Sequence, residues 1–557
     1  MGKYNLLHEK WISVMINSGG ETQNVSILDL FKNASDYRSI SGDMIAQDFS
    51  VMRMLLAIIH TVFSRFDATG NKYDYVEIDD RFRQIDDIDD FDLDDYQEDL
   101  MKTWKSIWEC GKFPPIIKEY LLKWEDRFYL YDDDYPFYQV REVDLRQEVL
   151  SKSKPTVVTG KGINRRISES DKKTALFSPK SSEGSGKEEL ENHEAARWLI
   201  MYQGYTGFAD KVIFGTEKYK VSKGWNYDLG GIFLEGENLF QTLMLNAVFV
   251  PDNNQYIVNK QNPCWEKSPQ EVIDKLFRNN RPNNISELYT SWSRAIRIIK
   301  SSDETKVFKM NIVKLPDLDH SDQFLEPMTL WGYNKDKKNK FKYTPLKHKP
   351  EQSLWRNFGL ITIENKSENN VKPGVMKWLD AVKDVINVEN IGFKAVSLQD
   401  DGKPETRLPV DEISDELYIN EVVAVDSKDH GWLIRINEII GLTKKIIENN
   451  YRGFIRDIKE IRNVETEDFI NKEISRMYSI IDQPFKSWIS SIEPFDNKEE
   501  TIIRWKNNLY SYIIESANAF VQSSNNRDLV GIEVDGRIKN IITAYNSFVR
   551  KLVKELK

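Results

Sequence analysis

The sequence predicts an α+β protein, with a large mixed domain over residues 1–415 followed by a C-terminal four-helix bundle over residues 416–557. Three observations lead there. Short alternating apolar runs stand beside helical periods through the first 400 residues. From about Trp432 to the end the apolar period is helical throughout. The polar stretch Asp400–Asp415 lies where one pattern gives way to the other. Hydrophobic residues make up 40% of the 557, enough for a large core beneath 30% charged residues.

In chain order, Trp11-Ile12-Ser13-Val14-Met15-Ile16 reads as a strand with a turn at Gly19-Gly20. Ser26–Phe31 reads as a short helix with Ser26 as its N-cap, and Phe49–Phe66 as an amphipathic helix with a wide apolar face. Residues 79–99 hold ten Asp and one Glu against two Arg. Ile85, Ile88, Phe91, Leu93 and Tyr96 punctuate these acids, the pattern of a short helix or turn with a solvated face. Glu194–Tyr202 is helical, Gly230-Gly231 marks a turn before a buried helix within Ile232–Val250, and Tyr289–Ile299 reads as a strand carrying Arg294 and Arg297. The four terminal helices run through Leu433 to Ile458, Phe469 to Ile492, Ile502 to Phe520 and Ile538 to Val553, with polar breaks at 460–466, 493–498 and 523–535. Pro484 is expected to kink the second.

Charge is distributed unevenly. The net charge is -10, yet residues 152–187 carry nine Lys or Arg against three acids, with several glycines and serines and one apolar island, Ala175-Leu176-Phe177. This reads as a flexible loop, with phosphate contact as its functional use. Thr159-Gly160-Lys161 lacks the upstream glycine and following Ser or Thr of a nucleotide-binding loop. A second basic segment, Lys335–Lys349, holds seven Lys and one Asp with Phe341 and Tyr343 interleaved, and reads as a hairpin. Two basic segments in an acidic chain favour a nucleic-acid surface.

Other classes recede. Two cysteines, Cys110 and Cys264, exclude a disulfide scaffold, and the six histidines have no metal-ligand spacing on one helix face. No metal and no cofactor is expected. Met1–Lys10 has no signal-peptide pattern, and the longest apolar run, near Met52–Val62, is interrupted by Arg53 and His60, so no membrane association and a cytoplasmic location are expected. A metal-dependent nuclease built on the acids of 79–99 is one alternative, and a helical scaffold without nucleic-acid contact another. The first is weakened because the acids form one local run rather than ligands converging from separate elements.

Several collinear segments resemble one family, the CasA family, the large subunit of the type I-E CRISPR surveillance complex Cascade. They are Asn5-Leu6-Leu7 with Trp11-Ile12-Ser13-Val14, where the family usually has Pro at the position of Ser13, then Pro136-Phe137-Tyr138-Gln139, Glu194-Ala195-Ala196 and Gly230-Gly231. Asn238-Leu239-Phe240-Gln241-Thr242-Leu243, Pro263-Cys264-Trp265-Glu266 and Glu326-Pro327-Met328-Thr329-Leu330-Trp331 follow in order. The resemblance implies a non-catalytic subunit that recognises a short protospacer-adjacent motif (PAM) in double-stranded DNA, nucleates unwinding and R-loop formation, and recruits a nuclease-helicase. Its implied partners are the CRISPR RNA-containing Cascade subunits, target DNA and that nuclease-helicase. The free chain is expected to be monomeric, with one copy per complex.

The resemblance also implies roles for residues. Phe177-Ser178-Pro179 matches a loop that reaches the guide complex, with Pro179 where the family prefers Asn. Gln399, on a hairpin over about 393–413 lengthened by Gly402–Arg407, matches a glutamine wedge that pries apart the first base pair. Lys306, with Lys300 and Lys309 as rivals, matches a lysine that reaches PAM base edges from the minor groove. Asn192 and His193 stand where the family has a glycine-rich loop. Lys161, Arg165, Arg166, Lys337, Lys338 and Lys340 are the candidate phosphate-backbone contacts.

Overall fold

The computed structural model describes residues 2–16, 19–163, 186–207, 211–251, 256–279, 281–299, 307–335, 340–363, 370–403, 407, 409–428 and 430–557. The chain forms two compact units. The first comprises residues 1–349, 365–388 and 393–415, and the second 350–364, 389–392 and 416–557.

The first unit is built around the helix Ile45–Phe63. Its sequence reads as amphipathic from Phe49, but the helix starts four residues earlier and is buried nearly all round, Arg53 and His60 included. By length and composition alone it could cross a membrane, yet 89% of that window is buried inside the protein. Its polar residues are accommodated by partners. Arg53 forms a bidentate ion pair with Glu326 at 2.9 and 2.6 Å, and Arg65, just past the helix end, does the same with Glu266 at 2.8 and 3.0 Å. Burying such cations unpaired would cost several kcal/mol each, about the scale of a domain's net stability.

The helices Asn192–Tyr205 and Ile285–Tyr289 pack on this helix, and small sheets make up much of the rest of the unit. Ile12–Met15 pairs with Thr22–Val25 and Ser39–Ile40. The short helix Ile27–Asn33 follows, with Ser26 accepting the Asp29 N–H as its cap. Lys309–Lys314 lies between Thr156–Thr159 and Arg294–Ile298. The expected strand from Tyr289 thus begins five residues later, because Ile285–Tyr289 closes a helical turn capped by Asn284. Trp331–Lys335 lies between Phe341–Pro345 and Asn370–Val371. The longest hairpin, Asn390–Asp400 and Pro409–Asn420, is completed into a sheet by Gly231–Glu235. That last strand corrects the turn-then-helix reading after Gly230-Gly231, since the helix begins only at Leu239, where Asn238 caps it. Gly230 is required by a close approach rather than by a turn: a Cβ there would lie 1.9 Å from the Leu346 carbonyl oxygen.

The acidic tract forms a turn bridged between Ile78 and Gln84 and then enters the helix Leu93–Cys110. Ile88 and Tyr96 are buried, whereas Phe91 is fully exposed and most of the acids face outward. Asp79 accepts the Arg81 and Arg83 N–H groups, and Asp99 accepts from the Tyr75 hydroxyl. Among the described residues no group of three or more His, Cys, Asp or Glu could hold a metal ion.

The second unit holds four long helical stretches. The first, Trp432–Ile461, passes through a π-helical turn at Ile446–Tyr451, and Asp468–Ser490, Lys498–Gln522 and Ile541–Leu556 follow. Pro484 sits inside the second without ending it. The polar break before the last helix folds into a small hairpin, Ile532–Val534 with Arg537–Lys539. Residues 350–364 join this unit: Trp355 is fully buried, stacks on Phe485 at 4.3 Å and donates its indole N–H to Asp482 at 2.9 Å.

Candidate nucleic-acid interface

Gln399 is the penultimate residue of the strand Asn390–Asp400, and its side chain is exposed. Ser397 and Leu398, on opposite faces of the strand, are both buried, so the strand leaves the core only as it reaches the tip. The tip is anchored on both strands. Ser397 Oγ donates to the Leu229 carbonyl at 3.0 Å, and Lys347 Nζ to the Leu398 carbonyl at 3.0 Å. Asp400 pairs with Arg407 at 3.0 Å, and the Tyr227 hydroxyl donates to the Arg407 carbonyl at 2.5 Å. On the returning strand, the Glu412 carboxylate accepts the Ala46 N–H at 2.8 Å and the Ile45 N–H at 3.4 Å. Met44, the cap residue of that central helix, offers no side-chain acceptor, so Glu412 takes this place and its charge meets the positive end of the helix dipole.

Beneath the tip lies a compact charged cluster. Lys347 Nζ sits 4.0 Å from the Tyr227 ring centroid, and Lys223 reaches both Asp228 carboxylate oxygens at 2.5 Å. Burial lowers the Lys347 pKa to about 8, against the opposing pull of Asp228. Burial pushes the Asp400 carboxyl up, but its hydrogen bonds from Arg407 and the Gly402 N–H outweigh that and hold it below the usual carboxylate range.

The lysine-rich segment is a hairpin, as its pattern predicts, and one face carries an aromatic ladder. Phe324 packs on Trp331 and Tyr343, Tyr343 on Tyr333, and Tyr333 stacks on Phe341 at 5.0 Å. The ladder runs from buried Trp331 to Phe341, which is 55% exposed. Lys335 Nζ lies 5.7 Å from the Phe341 ring, and Lys340 is exposed beside it. Leaving this hairpin, Leu346 N–H bonds to the Leu330 carbonyl, and His348 Nε2 lies 3.0 Å from the Gly231 carbonyl oxygen. The lysine hairpin therefore exits beside the sheet that carries Gln399.

Lys309 is exposed at the start of its strand, opposite Thr159. Around it the two stems of the basic loop meet. Gly160 N–H donates to the Phe308 carbonyl, Phe308 N–H to the Glu188 carbonyl, and Glu189 bridges Val307. A Cβ on Gly160 would lie 2.3 Å from the Glu188 carbonyl oxygen, so the glycine that superficially suggested a phosphate loop is needed to let the stems close.

Asn192 and His193 open the helix Asn192–Tyr205, which begins two residues before the sequence pattern suggests. Glu191 is its cap, and the Glu194 carboxylate accepts the Glu191 N–H at 2.8 Å in a capping box. Asn192 is exposed and accepts from the Tyr131 hydroxyl at 2.9 Å. These two residues thus occupy a helical first turn rather than a loop. Lys300, Lys306, Arg165, Arg166, Phe177, Ser178, Pro179, Lys337 and Lys338 lie outside the described residues, as does the side chain of Lys161. Lys309 and Gln399 belong to different sheets.

Sequence reading missed the supports of the hairpin tip: Tyr227, Asp228, Lys223, Lys347, Arg407 and Glu412. Arg407 was placed only in an insertion, and Lys347 only in a run of lysines. No local signal marks their convergence, because Lys347, Tyr227 and Glu412 each meet a backbone group more than 50 residues away.

A family model described as CRISPR-associated protein Cse1 matches residues 5–516 of the chain. The CRISPR-associated protein CasA/Cse1 of Thermus thermophilus is 25% identical over 310 residues, 54% of this chain, and the chain spans 50% of that relative's length. The solved structure of Thermobifida fusca Cse1 superposes with a TM-score of 0.73 at 20% identity, covering 99% of this chain and 98% of that one. A chain from a structure described as a CRISPR RNA-guided surveillance complex gives a TM-score of 0.64 at 13% identity, covering 99% of this chain and 100% of that one. At these identities the structural likeness concerns the fold.

Proposed function

The chain belongs to the CRISPR-associated Cse1 family, and from that membership we propose that it is the large, non-catalytic subunit of an RNA-guided surveillance complex. In this reading it acts in the cytoplasm, as one copy per complex. It engages double-stranded DNA at a PAM, opens the adjoining base pair so that guide RNA can pair, and offers a docking point for a nuclease-helicase.

The observation that carries the reading is Gln399. It is an exposed planar amide at the end of a strand whose neighbours are pinned by Ser397, Lys347, Asp400 and Arg407, with Glu412 fixing the partner strand. Unstacking a base step costs a few kcal/mol, so a wedge must not yield when it meets the duplex. The lysine hairpin supplies phosphate attraction without sequence preference, and Lys309 beside the stems of the basic loop adds a second cationic point.

The test uses guide-loaded complex containing the full chain and a fluorescent base analogue at the first pair. Gln399→Ala is expected to slow base-pair opening about tenfold or more, equivalent to at least about 1.4 kcal/mol, while initial DNA association changes little. Equal slowing of both steps would count against a wedge.

A further inference from the structure

We propose that Lys347 is a positioning residue for duplex opening: by bonding the Leu398 carbonyl from its seat on the Tyr227 ring, it holds the backbone immediately before Gln399 against the load of the duplex. The proposal rests on the reading of Gln399 as a wedge and names the group that makes that wedge stiff.

The geometry behind it is independent of any DNA. Lys347 follows Leu346, whose N–H is tied to Leu330 and whose carbonyl lies against Gly230, and precedes His348, which lies against Gly231. Its backbone is therefore clamped to the strand neighbouring the hairpin, and its side chain spans from that clamp to the Leu398 carbonyl. The ammonium lies over the face of Tyr227, where a cation is attracted by the ring quadrupole. The same tyrosine's hydroxyl holds Arg407, and Arg407 holds Asp400. One ring thus connects the residue before Gln399 with the residue after it. Among the described residues, Lys347 is the side chain bonded to the strand backbone adjoining the wedge residue.

The groups facing the Lys347 ammonium are Asp228, Lys223, Asp400, Arg407 and the Tyr227 ring, and His320 in turn faces Asp228. With a pKa lowered to about 8, Lys347 is charged at neutral pH and loses its charge in mild alkali. The neutral amine gives up both the attraction to the ring and the charge-assisted bond to the carbonyl. Opening by the wild-type complex should therefore slow as pH rises through about 8.

The experiment compares wild type, Lys347→Met, Lys347→Arg and Gln399→Ala in the assembled complex, reading DNA association and first-pair opening from pH 6.5 to 9. Lys347→Met is expected to slow opening about fivefold to tenfold, leave association within about twofold, and abolish the step in the pH profile. Lys347→Arg, which keeps a cation able to sit on the ring and donate, is expected to recover most of the rate and to move the loss beyond the measured range. If Gln399→Ala slows opening but Lys347→Met does not, the positioning role falls and the wedge stands. If Lys347→Arg is as slow as Lys347→Met and both retain the wild-type pH profile, the role of Lys347 is only structural and the proposal falls. If Gln399→Ala opens DNA at the wild-type rate, the wedge reading fails and takes the proposal with it.

Discussion

Glu326, Glu266 and Gln139 come from three of the segments through which the chain resembles its family, and each turns out to hold the core together. Glu326 accepts from both Arg53 nitrogens, from the Trp225 indole at 2.6 Å and from the Met328 N–H at 2.9 Å. Glu266 accepts from Arg65 and from the Tyr120 hydroxyl at 2.6 Å. Gln139 donates to the Leu130 carbonyl and accepts the Ile298 N–H, tying a loop to the strand Arg294–Ile298. The short segments that reveal membership thus report how the core is held together. Glu326→Gln removes the negative charge beside a fully buried guanidinium and is expected to cost about 3–5 kcal/mol of stability in chemical denaturation. The double change Arg53→Met, Glu326→Gln should cost less than Glu326→Gln alone, because the residual penalty comes from the unpaired cation.

Among elements, the central helix shows where periodicity misleads. Its apolar face is wide enough to read as amphipathic, but whether Arg53 and His60 face solvent or core depends on carboxylates and aromatic rings hundreds of residues away. Among the described residues His60 Nε2 has no hydrogen-bond partner, and burial pushes its pKa down to about 3. The folded state therefore refuses a proton that the unfolded chain accepts near pH 6.5. The resulting stability is fully present above that value and is lost progressively as pH falls toward 3. By pH 5 the loss is about 2 kcal/mol. His60→Leu should flatten the fall in melting temperature between pH 7.5 and 5, and an unchanged slope would assign acid sensitivity elsewhere. The hairpins show the opposite case. The lysine-rich segment was readable as a hairpin from its local run of charges, and the hairpin carrying Gln399 through the resemblance to the family. What stiffens the tip was not, since Glu412 acts on the start of a helix more than 360 residues earlier in the chain.

At the scale of the molecule, the chain order of the units is less simple than two successive domains. Residues 350–364 and 389–392 precede the bundle in sequence yet group with it. Trp355 joins an aromatic cluster in which Phe485 meets Trp505 edge-on at 4.8 Å, and the Trp505 indole donates to Thr443 Oγ1 at 3.0 Å. Trp355→Ala is expected to lower the bundle's stability by about 3–5 kcal/mol. Followed by calorimetry of the full chain, the loss should appear as a downward shift of one unfolding transition. The sequence by itself determined the α+β class, the four terminal helices, the basic segments and the family, because each is written in local period, local charge or collinear motifs. Tertiary structure alone decided that the central helix is buried on every side, that Gly230 and Gly160 exist to let backbones approach, and that Lys347, Tyr227, Arg407 and Glu412 converge on one hairpin. Such convergence depends on closing long loops between distant segments, and no window of sequence records which distant carbonyl or helix end a side chain will meet.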